Sequence, residues 1–149
     1  MSALLAARRS WSGLEAPDPD ELVGDLAASF LPPLRRVAPL GLGLVGLPRW
    51  WGKRFAADGR GGLDGVNLVR PRGGGPLVGV LPMTARPGTS LADGRLALVV
   101  SYASDAPRPW RWVRDELRTR PDGTVVGLTF VDLPLLRRLG GTPFLLRRG

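Results

Sequence analysis

RLALVVSYAS, residues 95 to 104, decides the fold. Successive side chains of a strand point to opposite faces, so Leu96, Leu98, Val100 and Tyr102 share one face. The other face, with Ala97, Val99 and Ala103, is not polar either. TVVGLTFVD (124 to 132) repeats the pattern, with Val126, Leu128, Phe130 and Asp132 on one face and Val125 and Val131 on the other. A sheet apolar on both sides needs a lining within and a cover without.

Working outward, the chain from Arg49 onward reads as short β-like runs separated by turn residues: RWWGKRF (49 to 55), VNLVR (66 to 70), LVGVLPMTA (77 to 85), WRWVRDELR (110 to 118) and FLLRR (144 to 148). Ala92-Asp93-Gly94 and Pro121-Asp122-Gly123 are hairpin turns, with glycine supplying positive φ. Pro82 places its strand at an edge or at a bulge. The fold class is therefore mainly β, an antiparallel meander of about seven or eight strands, which either closes into a barrel or leaves edges that must be covered.

Upstream, PDPDELVGDLAASF (17 to 30) predicts an amphipathic helix. Asp18 caps it, Pro19 suits its first position, and Asp20 and Glu21 complement the dipole. Leu22, Val23, Leu26 and Phe30 form its apolar stripe, and Pro32-Pro33 ends it. Such a helix packs outside the barrel or across one end. Residues 34 to 45 permit a second short helix, interrupted by Pro39, Gly41 and Gly43. The chain reads as one domain, with residues 1–47 a helical extension and 48–149 the barrel.

Composition removes whole classes of chemistry. Histidine and cysteine are absent, which excludes disulfides, thiolate nucleophiles, histidine triads and most transition-metal or haem ligation. Neither a cofactor nor a metal is expected. The net charge is +8, carried by arginine with Lys53 as the one lysine. Glu15, Asp18, Asp20, Glu21 and Asp25 cluster without a cation, whereas Arg35 to Arg54 is purely basic; solvated faces explain both more simply than a nucleic-acid site. The start lacks the order of a signal sequence, and VAPLGLGLVGLP (37 to 48) is too short to span a bilayer. The expected localisation is cytoplasmic.

RWWGKRF carries a resemblance. Pro48-Arg49-Trp50-Trp51-Gly52, followed by Lys53-Arg54-Phe55, resembles the Gly-x-Trp-x-Gly entry of the uncharacterised GXWXG-domain proteins, with Pro48 in place of the first glycine. Tyr102 ending a strand, Asp115 to Arg118 and Thr124 to Leu128 are similar in rhythm. More broadly the chain resembles calycins, the group of lipocalins, fatty-acid-binding proteins and nitrobindin-like proteins. That resemblance implies that the meander closes into a barrel, sealed by a last-strand arginine, Arg147 or Arg148, laid over Trp50. Alternation would put Trp51, Lys53 and Phe55 on the face opposite Trp50. A bulge at Gly52 would instead put Trp50 with Lys53 and Phe55.

Candidate site residues follow from these faces. Tyr102 and Asp132 end otherwise apolar strand faces and are the catalytic candidates, a hydroxyl donor and a carboxylate base. Ligand contacts are expected from Trp51, Phe55, Leu98, Val100, Tyr102, Trp110, Trp112, Leu128 and Phe130, and structural roles from Trp50 and Arg147. Lys53, between two arginines, reads as a solvated strand-edge cation. Asp115 and Glu116 are adjacent, face opposite ways on a strand, and cannot work as a pair. Gly73-Gly74-Gly75 is a hairpin loop, not a phosphate cradle.

The expected function is binding of a small hydrophobic ligand inside the barrel. The alternative is a cofactor-free cyclase or isomerase that holds an apolar substrate in a reactive conformation. A third is a basic surface protein contacting anionic lipid or nucleic acid. The partner is a small hydrophobic molecule; nucleic acid and a membrane surface are disfavoured, and a homodimer stays open.

Overall fold

The computed structural model describes residues 6, 9–31, 47–136 and 141–148. Expectations for residues 34 to 45, and most of 37 to 48, lie outside the described residues. Eight strands form a closed barrel in chain order: β1 (Gly24–Phe30), β2 (Trp50–Ala57), β3 (Leu63–Val69), β4 (Val78–Thr89), β5 (Leu96–Tyr102), β6 (Val113–Thr119), β7 (Val125–Val131) and β8 (Thr142–Arg148). Every neighbouring pair is antiparallel, and β8 returns to β1 with Ala28 opposite Leu146 and Phe30 opposite Phe144. Closure leaves no free sheet edge.

The expected helix over residues 18 to 30 does not form. Asp18 does cap a turn, accepting from the Asp20 amide at 3.1 Å, but the turn is a single 3-10 one, Pro19–Leu22. Residues 24 to 30 then run as β1. Their alternation suffices for a strand: Leu26 is buried, and Leu26, Ala28 and Phe30 all contact the inner core. The unpaired flanks of β2 and β8 supply hydrogen-bond partners that a helix would leave unmet.

Two apolar clusters explain the two-sided strands. The inner one gathers Leu26, Phe55, Leu63, Met83, Leu98, Val100, Tyr102, Leu117, Phe144 and Leu146, among others. The outer one gathers Trp11, Ala97, Val126, Leu128, Phe130 and Leu145, with Leu14, Leu31 and Leu91 against it. Its cover is thus the segment around Trp11, itself in a short 3-10 turn (Trp11–Gly13), not a helix.

Two irregularities aim the interior. On β2 the pairing with β3 shifts between Trp50 and Gly52, the alternative the sequence leaves open, so Trp50, Lys53 and Phe55 all face inward. A Cβ on Gly52 would lie 1.9 Å from the Leu26 carbonyl oxygen, so β1 approaches there only because the side chain is missing. On β4 one extra residue lies between Val80 and Met83, where Leu81 takes φ 56° immediately before Pro82. Pro82 therefore marks a bulge, one of the two expected settings.

Candidate functional site

The inward alternation of β2, β3, β5, β6 and β7 brings Lys53, Asn67, Tyr102, Asp115 and Thr129 to one level of the barrel. Lys53, far from being a solvated edge cation, is 2% exposed. Its Nζ lies 3.2 Å from Asp115 Oδ2 and donates to Asn67 Oδ1 at 3.0 Å, Tyr102 Oη at 3.2 Å and Met83 Sδ at 3.6 Å. Asn67 also accepts from Trp50 Nε1 at 3.1 Å and donates from Nδ2 to Tyr102 Oη at 3.1 Å and the Leu81 carbonyl at 3.3 Å. Thr129 Oγ1 donates to Asp115 Oδ1 at 2.8 Å. Each polar group in this layer thus has a partner, as burial requires.

Electrostatics keep Lys53 charged. Burial works against the ammonium, but the Tyr102 oxygen and the Asp115 carboxylate outweigh it, and its pKa is raised. Burial likewise pushes the Tyr102 phenol up, against the pull of Lys53. At neutral pH the layer therefore holds an ammonium and a neutral phenol. A protonated amine has no lone pair to attack with, so Lys53 is not poised as a nucleophile.

Beside this layer lies a cavity of about 70 Å³, whose remaining lining among the described residues is Phe30, Leu47, Trp50, Trp110 and Phe144. At about 30 Å³ for each water that is room for roughly two, so a larger ligand has to extend beyond this cavity. Trp50 packs between Phe30 (ring centroids 5.6 Å) and Phe144 (6.0 Å), and Trp110 sits 5.4 Å from Tyr102. Phe30 and Trp50 are half-buried. Gly127 makes space opposite, since a Cβ there would lie 2.2 Å from the Phe144 ring.

The structure brings Tyr102, Trp110 and Trp50 to the cavity. Phe55, Leu98 and Val100 face inward within the core, away from its lining. Leu128 and Phe130 belong to the outer cluster, and Trp51 is half-buried on the bulge. Trp112 and Asp132 line an outer groove, where Arg108 and Arg111 flank the Trp112 ring at 5.6 and 5.9 Å. Arg147 is exposed, and Arg148 donates to the carbonyls of Val23 and Glu21. The buried stacked pair is Arg118 over Trp11, at 4.5 Å. Arg118 also donates twice to Asp93, at 2.6 and 2.9 Å, and once to the Trp11 carbonyl at 3.0 Å.

Sequence reasoning missed Lys53, Asn67, Asp115 and Thr129. Asp115 had a legible signal, because Val113 and Leu117 flank it on the same strand face. Glu116 does face the other way, where it accepts from Leu91 N at 2.7 Å and Arg114 Nε at 3.0 Å. Among the described residues, no three His, Cys, Asp or Glu side chains gather as a metal would need, and no helix is long and apolar enough to cross a membrane.

Comparison with known proteins adds to the fold. No protein-family model matches the chain, and no curated protein matches it. A crystal structure of a protein from Thermomonospora curvata is similar, with a TM-score of 0.69 at 18% identity, over 97% of this chain and 86% of that one. At that identity the likeness is one of fold, which in this chain is the eight-stranded barrel.

Proposed function

We propose that the barrel binds a small apolar molecule, in the manner of calycins, with its polar end on the Lys53–Asn67–Tyr102–Asp115 layer. The observation that supports this most is the cavity itself: aromatic and aliphatic walls ending on a buried, hydrogen-bonded polar floor. Such a division, apolar area for affinity and a few fixed polar groups for orientation, is typical of small-molecule sites. Protein purified from its native host should carry an apolar compound that organic extraction and mass spectrometry detect. Rebinding should change the fluorescence of Trp50 and Trp110. A clean extract and an unchanged spectrum across a panel of small apolar compounds would refute the reading.

A cofactor-free isomerase or cyclase is the second reading, favoured by the presence of a phenol and a carboxylate each 3.2 Å from one buried ammonium. Buried ionisable groups held in a cavity are a recurrent feature of acid–base sites. In this reading Tyr102 donates a hydrogen bond to the substrate and Asp115, not the exposed Asp132, takes the proton. Once a ligand is identified, its turnover should disappear in both Tyr102→Phe and Asp115→Asn. Retained turnover would reduce the site to a binding one.

A further inference from the structure

We infer that the site selects an uncharged ligand whose polar end is a hydrogen-bond acceptor, a ketone or similar carbonyl, and rejects the carboxylate of the same shape. The inference rests on the ligand-binding reading and narrows it.

Donor counting carries the first half. Lys53 has three protons and four acceptors around it: Asn67 Oδ1, Tyr102 Oη, Asp115 Oδ2 and Met83 Sδ. Both Asn67 amide protons are taken, by Leu81 and Tyr102. Trp50 Nε1 is engaged by Asn67 and the Thr129 hydroxyl by Asp115. Tyr102 Oη accepts from both Lys53 and Asn67, which occupies its lone pairs and leaves its own hydrogen as the donor. Among these groups the phenol is therefore what remains for a ligand. Ammonium and amide donation into the same oxygen polarises its O–H bond and strengthens the bond it can give.

Charge carries the second half. Lys53 and Asp115 are the two charged side chains among the described residues of the lining, and they pair at 3.2 Å. A ligand carboxylate would enter a layer whose cation already has its anion, Asp115, which lines the same cavity and would repel it. Nothing there compensates its desolvation. A carbonyl brings no such charge and needs one donor. The chain's overall positive charge draws anions toward the protein, yet this site is neutral within itself.

The test uses two pairs matched in shape: acetophenone with benzoate, and the smaller 3-methylbutan-2-one with isobutyrate. Binding at pH 7 is read by tryptophan fluorescence and ligand-observed NMR. In the wild type each ketone should bind at least tenfold more tightly than its carboxylate. Tyr102→Phe, which keeps the ring against Trp110, should weaken the ketones about tenfold and leave the carboxylates unchanged. Asp115→Asn frees the Lys53 charge and should invert the preference, with benzoate gaining at least tenfold. Equal or tighter carboxylate binding by the wild type overturns the selectivity while the ligand-binding reading stands. Binding of neither member of either pair, at millimolar concentration, overturns both. Should Asp115→Asn not fold, the wild-type and Tyr102→Phe comparisons decide the matter alone.

Discussion

Replacing Asp115 by asparagine keeps the side chain's shape and removes one charge from the buried pair. Lys53 would retain Asn67 and Tyr102 as acceptors, but its ammonium, 2% exposed, would have no counter-ion. Breaking a buried pair from one side costs about 3–5 kcal/mol. For a chain of this size each kcal/mol shifts the melting temperature by about 2–4 °C, so the loss is roughly 6–20 °C. The double variant Lys53→Met with Asp115→Leu removes both charges and should recover most of that loss, since apolar replacements of buried pairs are often neutral or better. Alkaline titration separates the cases further. In the wild type both Lys53 and Tyr102 have raised values in the fold. Their contribution is full below about pH 10, the unfolded range, and is lost as pH rises through the folded values. In Asp115→Asn burial acts unopposed by the carboxylate and depresses Lys53, so the unfolded chain binds more protons and stability rises with pH toward 10. Urea denaturation from pH 7 to 11 reads both slopes. A single variant within about 0.5 kcal/mol of the wild type, with parallel pH curves, would refute a charged and desolvated Lys53.

Three other substitutions probe the frame around the site. Gly52→Ala forces a methyl group against the Leu26 backbone and should cost about 3 kcal/mol or more in denaturant titration; a neutral result would remove the close approach of β1 and β2. Arg118→Lys loses the bidentate bond to Asp93 and the stack on Trp11, which should cost about 2 kcal/mol. Arg118 bonding holds the Asp93 carboxyl well below the usual range, so its contribution is present above about pH 4 and lost as pH falls; the variant should flatten that acid limb, and an unchanged limb would contradict the pairing. Phe130→Leu, in the outer cluster, should cost about 1 kcal/mol while leaving affinity for an identified ligand untouched; a large change in affinity would put Phe130 at the cavity after all.

The barrel was legible because strand alternation is a local property. Leu98, Val100 and Tyr102 face inward together, and Ala97 lies in the outer cluster, as the period of two requires. The same period over 124 to 132 was read correctly in grouping but carried no sign, so Leu128 and Phe130 landed on the outer face. Only the registry of β7 between β6 and β8 supplies that sign. The helix expected over 18 to 30 shows a different limit. Capping residues specify where a turn begins, and tertiary pairing with β2 and β8 decides whether it continues. Lys53 was misread for a third reason. Its neighbours in sequence are arginines, whereas its neighbours in space come from β3, β4, β5 and β6, residues 14 to 62 positions away. Asp115 completes its environment, and no short window contains both.

The single lysine makes the most direct measurement a simple one. Lysine labelled with ¹³C at Cε and ¹⁵N at Nζ gives one side-chain signal from this chain, that of Lys53. A buried ammonium paired with Asp115 predicts slow exchange of the Nζ protons with water and a titration above the ordinary lysine value of about 10.4. A rapidly exchanging signal that titrates at or below that value would contradict the account.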